Sequence, residues 1–175
     1  MSDKFDSCQA HNNSLAEKGV DVRKKIVGII GGHKCSKVVE QKSQNLGKNL
    51  VKVVYTIVCG GLGGTMSAVC QGFKAGGGLT IGIVPGYNKD EANDYVDIVI
   101  PTGLGLARNV LVVKSADVIV ALPGGAGTLS EIAFAIQFGI PVISLQSWDI
   151  PGVIKARTVE ETIAEVKKIV GKWKK

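Results

Sequence analysis

Aromatic residues make up only 5% of the 175-residue chain, and it holds two histidines, four cysteines and five prolines. With aromatics so few and scattered, no row of stacking platforms is interleaved with basic charge. That speaks against a nucleic-acid-binding surface even at a formal net charge of +6. Much of the charge stands at the flanks, in Lys167, Lys168, Lys172, Lys174 and Lys175 and in Arg23, Lys24 and Lys25 ahead of the first apolar run. Such runs read as solvated ends, and a basic balance suits a small anionic ligand equally well. His11 and His33 come with no spaced thiol pair, so no metal site is expected. Cys8, Cys35, Cys59 and Cys70 form no C-x-x-C and sit partly in apolar runs, as reduced packed thiols do in a reducing compartment.

A membrane span is also missing. The stretch 53–73 carries no charged side chain and is long enough to cross a bilayer, but Gly60, Gly61, Gly63 and Gly64 break it in the middle. Each would cost a helix about 1 kcal/mol. Residues 1–22 are polar and mixed in charge with no apolar signal-peptide core. The expectation is a polar N-terminal extension, a single domain over 23–175, a cytoplasmic location and no membrane partner.

What the chain does have is glycine, 23 residues of it. That is nearly twice the usual frequency of about 7%, with no collagen period. A mean hydropathy of +0.23 and 45% hydrophobic residues supply a core, so the glycines serve a folded backbone. Short, β-branched, nearly continuous apolar runs alternate with helical patterns, as in strands buried on both faces. The strands are expected at 26–30, 54–58, 79–84, 96–100, 118–122 and 141–145. Helices are expected at about 37–52, 65–75, 104–115 and 129–138, with a last one in which Val159, Ile163, Val166 and Val170 share a face behind a Thr158/Glu161 capping box. This alternation predicts an α/β fold: a three-layer Rossmann-like doubly wound domain with a mainly parallel sheet of six or seven strands, binding its ligand at the carboxyl ends of the strands.

Three segments at that edge can carry chemistry. Gly60, Gly61, Gly63, Gly64 and Thr65 lie between a buried strand and a helix start, where bare N–H groups can approach a phosphate; a tight turn that binds nothing is the alternative. The segment is neither a Walker A loop nor a spaced G-x-G-x-x-G, so kinase and NAD-fingerprint readings fail. The second segment, Gly124, Gly125, Gly127 and Thr128, has the same placement. In it Glu131 is either a carboxylate held ionised by a helix N-terminus or, with Thr128, the far half of a capping box. The third is Arg108, a planar fork for phosphate or carboxylate, or else the partner in a surface ion pair. Gly31, Gly32, Met66, Pro123 and Asn109 complete the candidate pocket. The acidic stretch Asp90 to Asp94 and Asp97 reads as a solvated connecting loop.

PGGAGTLSE at 123–131, GGLGGTM at 60–66 and Arg108 together resemble the "lysine decarboxylase-like" Rossmann proteins over about residues 25–145. That family includes the LONELY GUY cytokinin-activating phosphoribohydrolases, with motifs PGGxGTxxE and GGGxxGxM. The resemblance implies a catalytic pair Arg108 and Glu131 and phosphate held by the two glycine loops. It implies cleavage of the N-glycosidic bond of a nucleoside 5'-monophosphate. The hydrolases usually carry Arg-Lys where this chain has Arg108-Asn109, Glu-Glu where it has Ser130-Glu131, and often an aromatic at the position of Ala126. Its Gly103 to Asn109 segment is closer to a branch that contains molybdenum cofactor carrier proteins, which implies the alternative of a non-catalytic binder of a phosphorylated pterin. No cofactor is required by either reading, and no motif provides for PLP. The helices over 104–113 and 132–138 are apolar nearly all round, which predicts a homodimer or higher homo-oligomer.

Overall fold

The computed structural model describes residues 24–171, so the expectations for residues 1–22 and for the last lysines lie outside the described residues. Seven strands form one sheet: β1 Ile26–Ile30, β2 Thr56–Cys59, β3 Leu79–Val84, β4 Ile98–Pro101, β5 Val118–Ala121, β6 Val142–Leu145 and β7 Val153–Ala156. The order is β4-β3-β2-β1-β5-β6-β7, and every neighbouring pair is parallel. The α/β Rossmann-like class expected from the alternation is the one observed. The strand order reverses at β1 and β5, and a crevice opens at such a reversal beyond the strand ends.

Among the described residues, five α-helices cover the sheet: α1 Lys37–Leu50, α2 Thr65–Ala75, α3 Asn109–Lys114, α4 Ala126–Gln137 and α5 Val159–Val170. Helices α1, α2 and α5 bury Leu46, Leu50, Val69, Phe73, Val159 and Val166 on one face of the sheet. On the other face, α3 and α4 bury Val112, Val113, Ile132 and Ala135 against Ile30, Ile119 and Ala121. No helix among the described residues is long and apolar enough to cross a membrane.

Several boundaries differ from the sequence expectation. The 104–115 helix is divided: Gly103 and Gly105 take positive φ of 65° and 54°, a 3-10 turn occupies Gly105–Arg108, and only six residues of α3 follow. Strand β7 was not expected, because Val153-Ile154-Lys155-Ala156 at the sheet edge has an exposed lysine in place of a buried apolar run. β2 starts at Thr56, two residues later than the apolar run suggests, since Val54 closes the α1 turn through its N–H to the Leu50 carbonyl. Helix α5 is capped as expected by Thr158, whose hydroxyl accepts from the Glu161 N–H. The returning carboxylate bond, however, goes to the N–H of Arg157.

Candidate functional site

Beyond β1, β2 and β5 lies a cavity of about 260 Å³. Gly31 and Gly32 from the end of β1, Met66 from α2, and Leu62 from the first glycine loop line one side of it. Gly125, Gly127, Thr128 and Glu131 from the start of α4 line the other, with Arg108 and Asn109 between them. The sequence thus brings nine of its candidates to one cavity wall.

The glycines of the first loop are not part of that wall, and most of them have structural causes. A Cβ on Gly60 would stand 2.5 Å from Arg108 Nη2, and Gly61 and Gly64 adopt positive φ of 74° and 64°. Thr65 is fully buried, and both its N–H and its hydroxyl donate to the carbonyl of Gly32. Gly63 stands with only the His33 carbonyl near its missing side chain. This loop therefore shapes the cavity from behind, holding Arg108 and the β1 turn in place.

The second loop is divided in its duties. Gly124 is required by packing, since a Cβ there would meet Thr128 Oγ1 at 2.1 Å; with Pro123 it faces a neighbouring hollow. Gly125 and Gly127 have nothing within 4 Å of a built Cβ and border the cavity. Helix α4 starts at Ala126 with Gly125 as N-cap and no side-chain cap. The N–H groups of its first turn have no intrahelical acceptor and face the end of the crevice where an anion is favoured.

This start point corrects one expectation. Thr128 lies in the first turn of α4, so Thr128 and Glu131 do not form a capping box. Glu131 stands in the second turn, 6% exposed, and the helix N-terminus does not hold it ionised: burial pushes its carboxyl up to about 7, with Arg108 pulling the other way.

Arg108 is also 6% exposed. Its Nη2 donates to the Gly60 carbonyl at 3.2 Å, its Nη1 donates to Oδ1 of Asn109, and Nη1 lies 3.9 Å from Glu131 Oε1. Nε is buried and has no hydrogen-bond partner. A buried charged donor left unpaired costs about 1–3 kcal/mol or more. A bound acceptor would remove that cost. Arg108 is thus no surface ion pair.

The acidic connecting segment is structural. Glu91 accepts from the N–H groups of Gly86 and Asn88, and Asp97 takes Lys74 at 2.8 Å and the N–H and hydroxyl of Thr80. Cys59 and Cys70 are reduced and buried, Sγ to Sγ at 3.6 Å, as packed thiols.

The model of the SLOG cluster4 family matches residues 24–172, which takes in every described residue. The chain belongs to the SLOG cluster4 family. Two solved structures resemble this SLOG protein over almost their full length. One is the molybdenum cofactor binding protein of Rippkaea orientalis, 36% identical at a TM-score of 0.78, covering 86% of this chain and 99% of that one. The other is the molybdenum cofactor carrier protein of Chlamydomonas reinhardtii, 34% identical at 0.77, covering 85% and 98%. A rice (Oryza sativa subsp. japonica) protein named as a cytokinin riboside 5'-monophosphate phosphoribohydrolase is 37% identical over 101 residues, 54% of this chain and 44% of its own length. The SLOG chain thus spans less than half of that enzyme.

One wall of the crevice escaped the sequence reading. Trp148, beyond β6, donates its indole N–H to the Gly124 carbonyl at 3.1 Å, directly behind the second glycine loop. The signal was available: an aromatic three residues past a strand end, on the edge where α/β sheets bind ligands.

Proposed function

We propose that this protein binds a phosphorylated, nucleotide-like ligand in the Arg108–Glu131 cavity, with its phosphate on the start of α4. The observation that carries this is Arg108, buried with its Nε unpartnered, lining the same cavity as an uncapped helix start bordered by two glycines. Arg108 anchors an anionic or hydroxyl oxygen of the ligand, and Gly125 and Gly127 let the phosphate reach the backbone N–H groups.

The reaction that suits this site is hydrolysis of a nucleoside 5'-monophosphate to a free base and ribose 5-phosphate. A carboxyl that titrates near 7 can both accept and return a proton at neutral pH. Ionised Glu131 takes a proton from water as the water oxygen bonds to the anomeric carbon, and the C–N bond breaks with its electron pair leaving on the base. The proton then passes to the base nitrogen. Positive charge at the anomeric carbon is stabilised by the same carboxylate. The rice relative's name supports this reading. Incubation with a panel of nucleoside 5'-monophosphates, with released base followed by chromatography, tests it: base is expected from the parent protein and not from Glu131→Gln. Equal release from both would overturn the role of Glu131.

A second reading, a carrier that holds a phosphorylated pterin without turnover, is favoured by Asn109. Its side chain accepts from Arg108 where the hydrolases usually have a lysine, so the site has one cation fewer. Likeness to the two carrier structures over nearly their whole length supports it as well. Mass spectrometry of ligand retained through purification separates the two, a pterin phosphate supporting the carrier.

A second copy of the chain is proposed to cover the α3/α4 face. Ile98 and Ile100 pair with Ile81 and Ile83, and lie 46% and 43% exposed beyond the edge of the two helices. Leu104, Leu106, Leu111 and Phe134 continue the exposed apolar area.

A further inference from the structure

The Arg108–Glu131 cavity does not end the crevice. Its volume of about 260 Å³ is slightly below the range of about 300–1,000 Å³ common for small-molecule sites. The turn between β5 and α4 borders two more hollows. One, of about 340 Å³, runs from Gly125 and Gly124 to His33, Lys34, Cys35 and Ser36. The other, of about 320 Å³, lies between Pro123, Gly124, Gln146, Ser147, Trp148 and Asp149. Gly125 belongs to the first two spaces, and Gly124 to the last two. The three lie side by side around the phosphate loop.

The last of these hollows is built, not left over. Ser147 Oγ donates to the Leu122 carbonyl at 2.8 Å, Ser144 Oγ donates to the Trp148 carbonyl at 3.0 Å, and the indole N–H is fixed on Gly124. Gln146, which begins this segment, has φ of 56°, the one non-glycine residue in the left-handed region among the described residues. A side chain there costs about 1–3 kcal/mol, and such conformations concentrate at ligand sites. Both polar ends of Gln146 are engaged, by Lys42 Nζ and the Arg157 carbonyl. Trp148 nonetheless stays 39% exposed. The indole N–H is tied to Gly124 while part of the ring faces open space. His33 and Lys34 line the hollow of about 340 Å³, both exposed and paired with no carboxylate among the described residues.

We infer that the crevice takes a ligand longer than a mononucleotide: a diphosphate-bridged molecule whose second phosphate crosses the Gly124–Gly125 turn beside Lys34 and whose second planar ring lies on Trp148. This rests on the placement of the first phosphate at the start of α4. The absent G-x-G-x-x-G does not weigh against it. That fingerprint serves a diphosphate on the turn after β1, whereas here the diphosphate crosses the turn after β5.

The test compares adenosine 5'-monophosphate with NAD and ADP-ribose by calorimetry on the full chain, for the parent protein and for Trp148→Ala. The parent should bind at least one diphosphate-bridged probe about tenfold or more tighter than the monophosphate, the scale of one stacked ring. Trp148→Ala should erase that preference. In a Trp173→Phe background, Trp148 is the sole tryptophan, and its fluorescence should be quenched by the bridged probe and not by the monophosphate; this arm does not depend on the folding of the alanine variant. Monophosphate binding with no preference for the longer probes, or without their quenching of Trp148, overturns the inference and leaves the first phosphate site standing. Binding of none of the three probes overturns both.

Discussion

Arg108 Nη1 and Glu131 Oε1 stand 3.9 Å apart, each residue 6% exposed, at the bottom of the crevice formed where the strand order reverses. The pair is close enough to interact and too far apart for a tight hydrogen-bonded bridge. Neither charge is therefore fully compensated by the other, and the cavity between the flanking loops is left with one donor unpaired and one carboxyl poised to titrate.

The first consequence concerns pH and stability. The Glu131 carboxyl is raised from 4.5 to about 7 in the fold, so the folded state holds this proton more tightly than the unfolded chain. Its contribution is complete below pH 4.5 and is lost as pH rises through about 7. Glu131→Gln mimics the neutral form. It should match the parent in urea denaturation at pH 4.5 and exceed it by up to about 3 kcal/mol at pH 8.5. A difference that does not change with pH would show that the carboxyl titrates normally.

Gly60 tests how Arg108 is held. Gly60→Ala places a methyl carbon against Arg108 Nη2 and Cζ, although Gly60 is not in the cavity wall. Mononucleotide affinity should fall about tenfold, the worth of one hydrogen bond to a charged group. The loss should vanish when Arg108 is already alanine, because the two changes act through one contact. Additive losses in the double variant would place the effect of Gly60 elsewhere.

The exposed apolar face gives an assembly prediction. Ile100→Lys puts a charge within the apolar area proposed to meet a second copy. Sedimentation velocity at micromolar concentration should show a dimer or larger species for the parent and a monomer for the variant. A parent protein that sediments as a monomer contradicts the proposal.

Much of the fold was legible because a parallel sheet buried on both faces writes its strands as unbroken apolar runs, as in 26–30 and 118–121. Edge strands escape that rule, and β7 with Lys155 shows why. The start of α4 was misplaced because Thr128 and Glu131 imitate a capping box while Gly125 and Gly127 imitate a loop. In space those glycines open the first turn of the helix. The glycine count pointed to two phosphate loops of equal standing. The structure instead shows Gly60, Gly61 and Gly64 engaged by Arg108, by Val84 and by the β1 turn, contacts between distant segments that no local pattern encodes. The hydrogen bond of Trp148 to Gly124 is of the same long-range kind, 24 residues apart, although the place of the ring just past a strand end was a readable signal.

The phosphate position is the centre of the account, and Gly127→Ala examines it directly. A Cβ at Gly127 meets nothing within 4 Å, and alanine in a helix is favoured over glycine by about 1 kcal/mol, so the variant should be at least as stable as the parent. Calorimetric titration with adenosine 5'-monophosphate should nonetheless show about tenfold weaker binding or less, because the methyl group stands where the phosphate must approach the first-turn N–H groups. An affinity equal to that of the parent would contradict the placement of the phosphate at the start of α4.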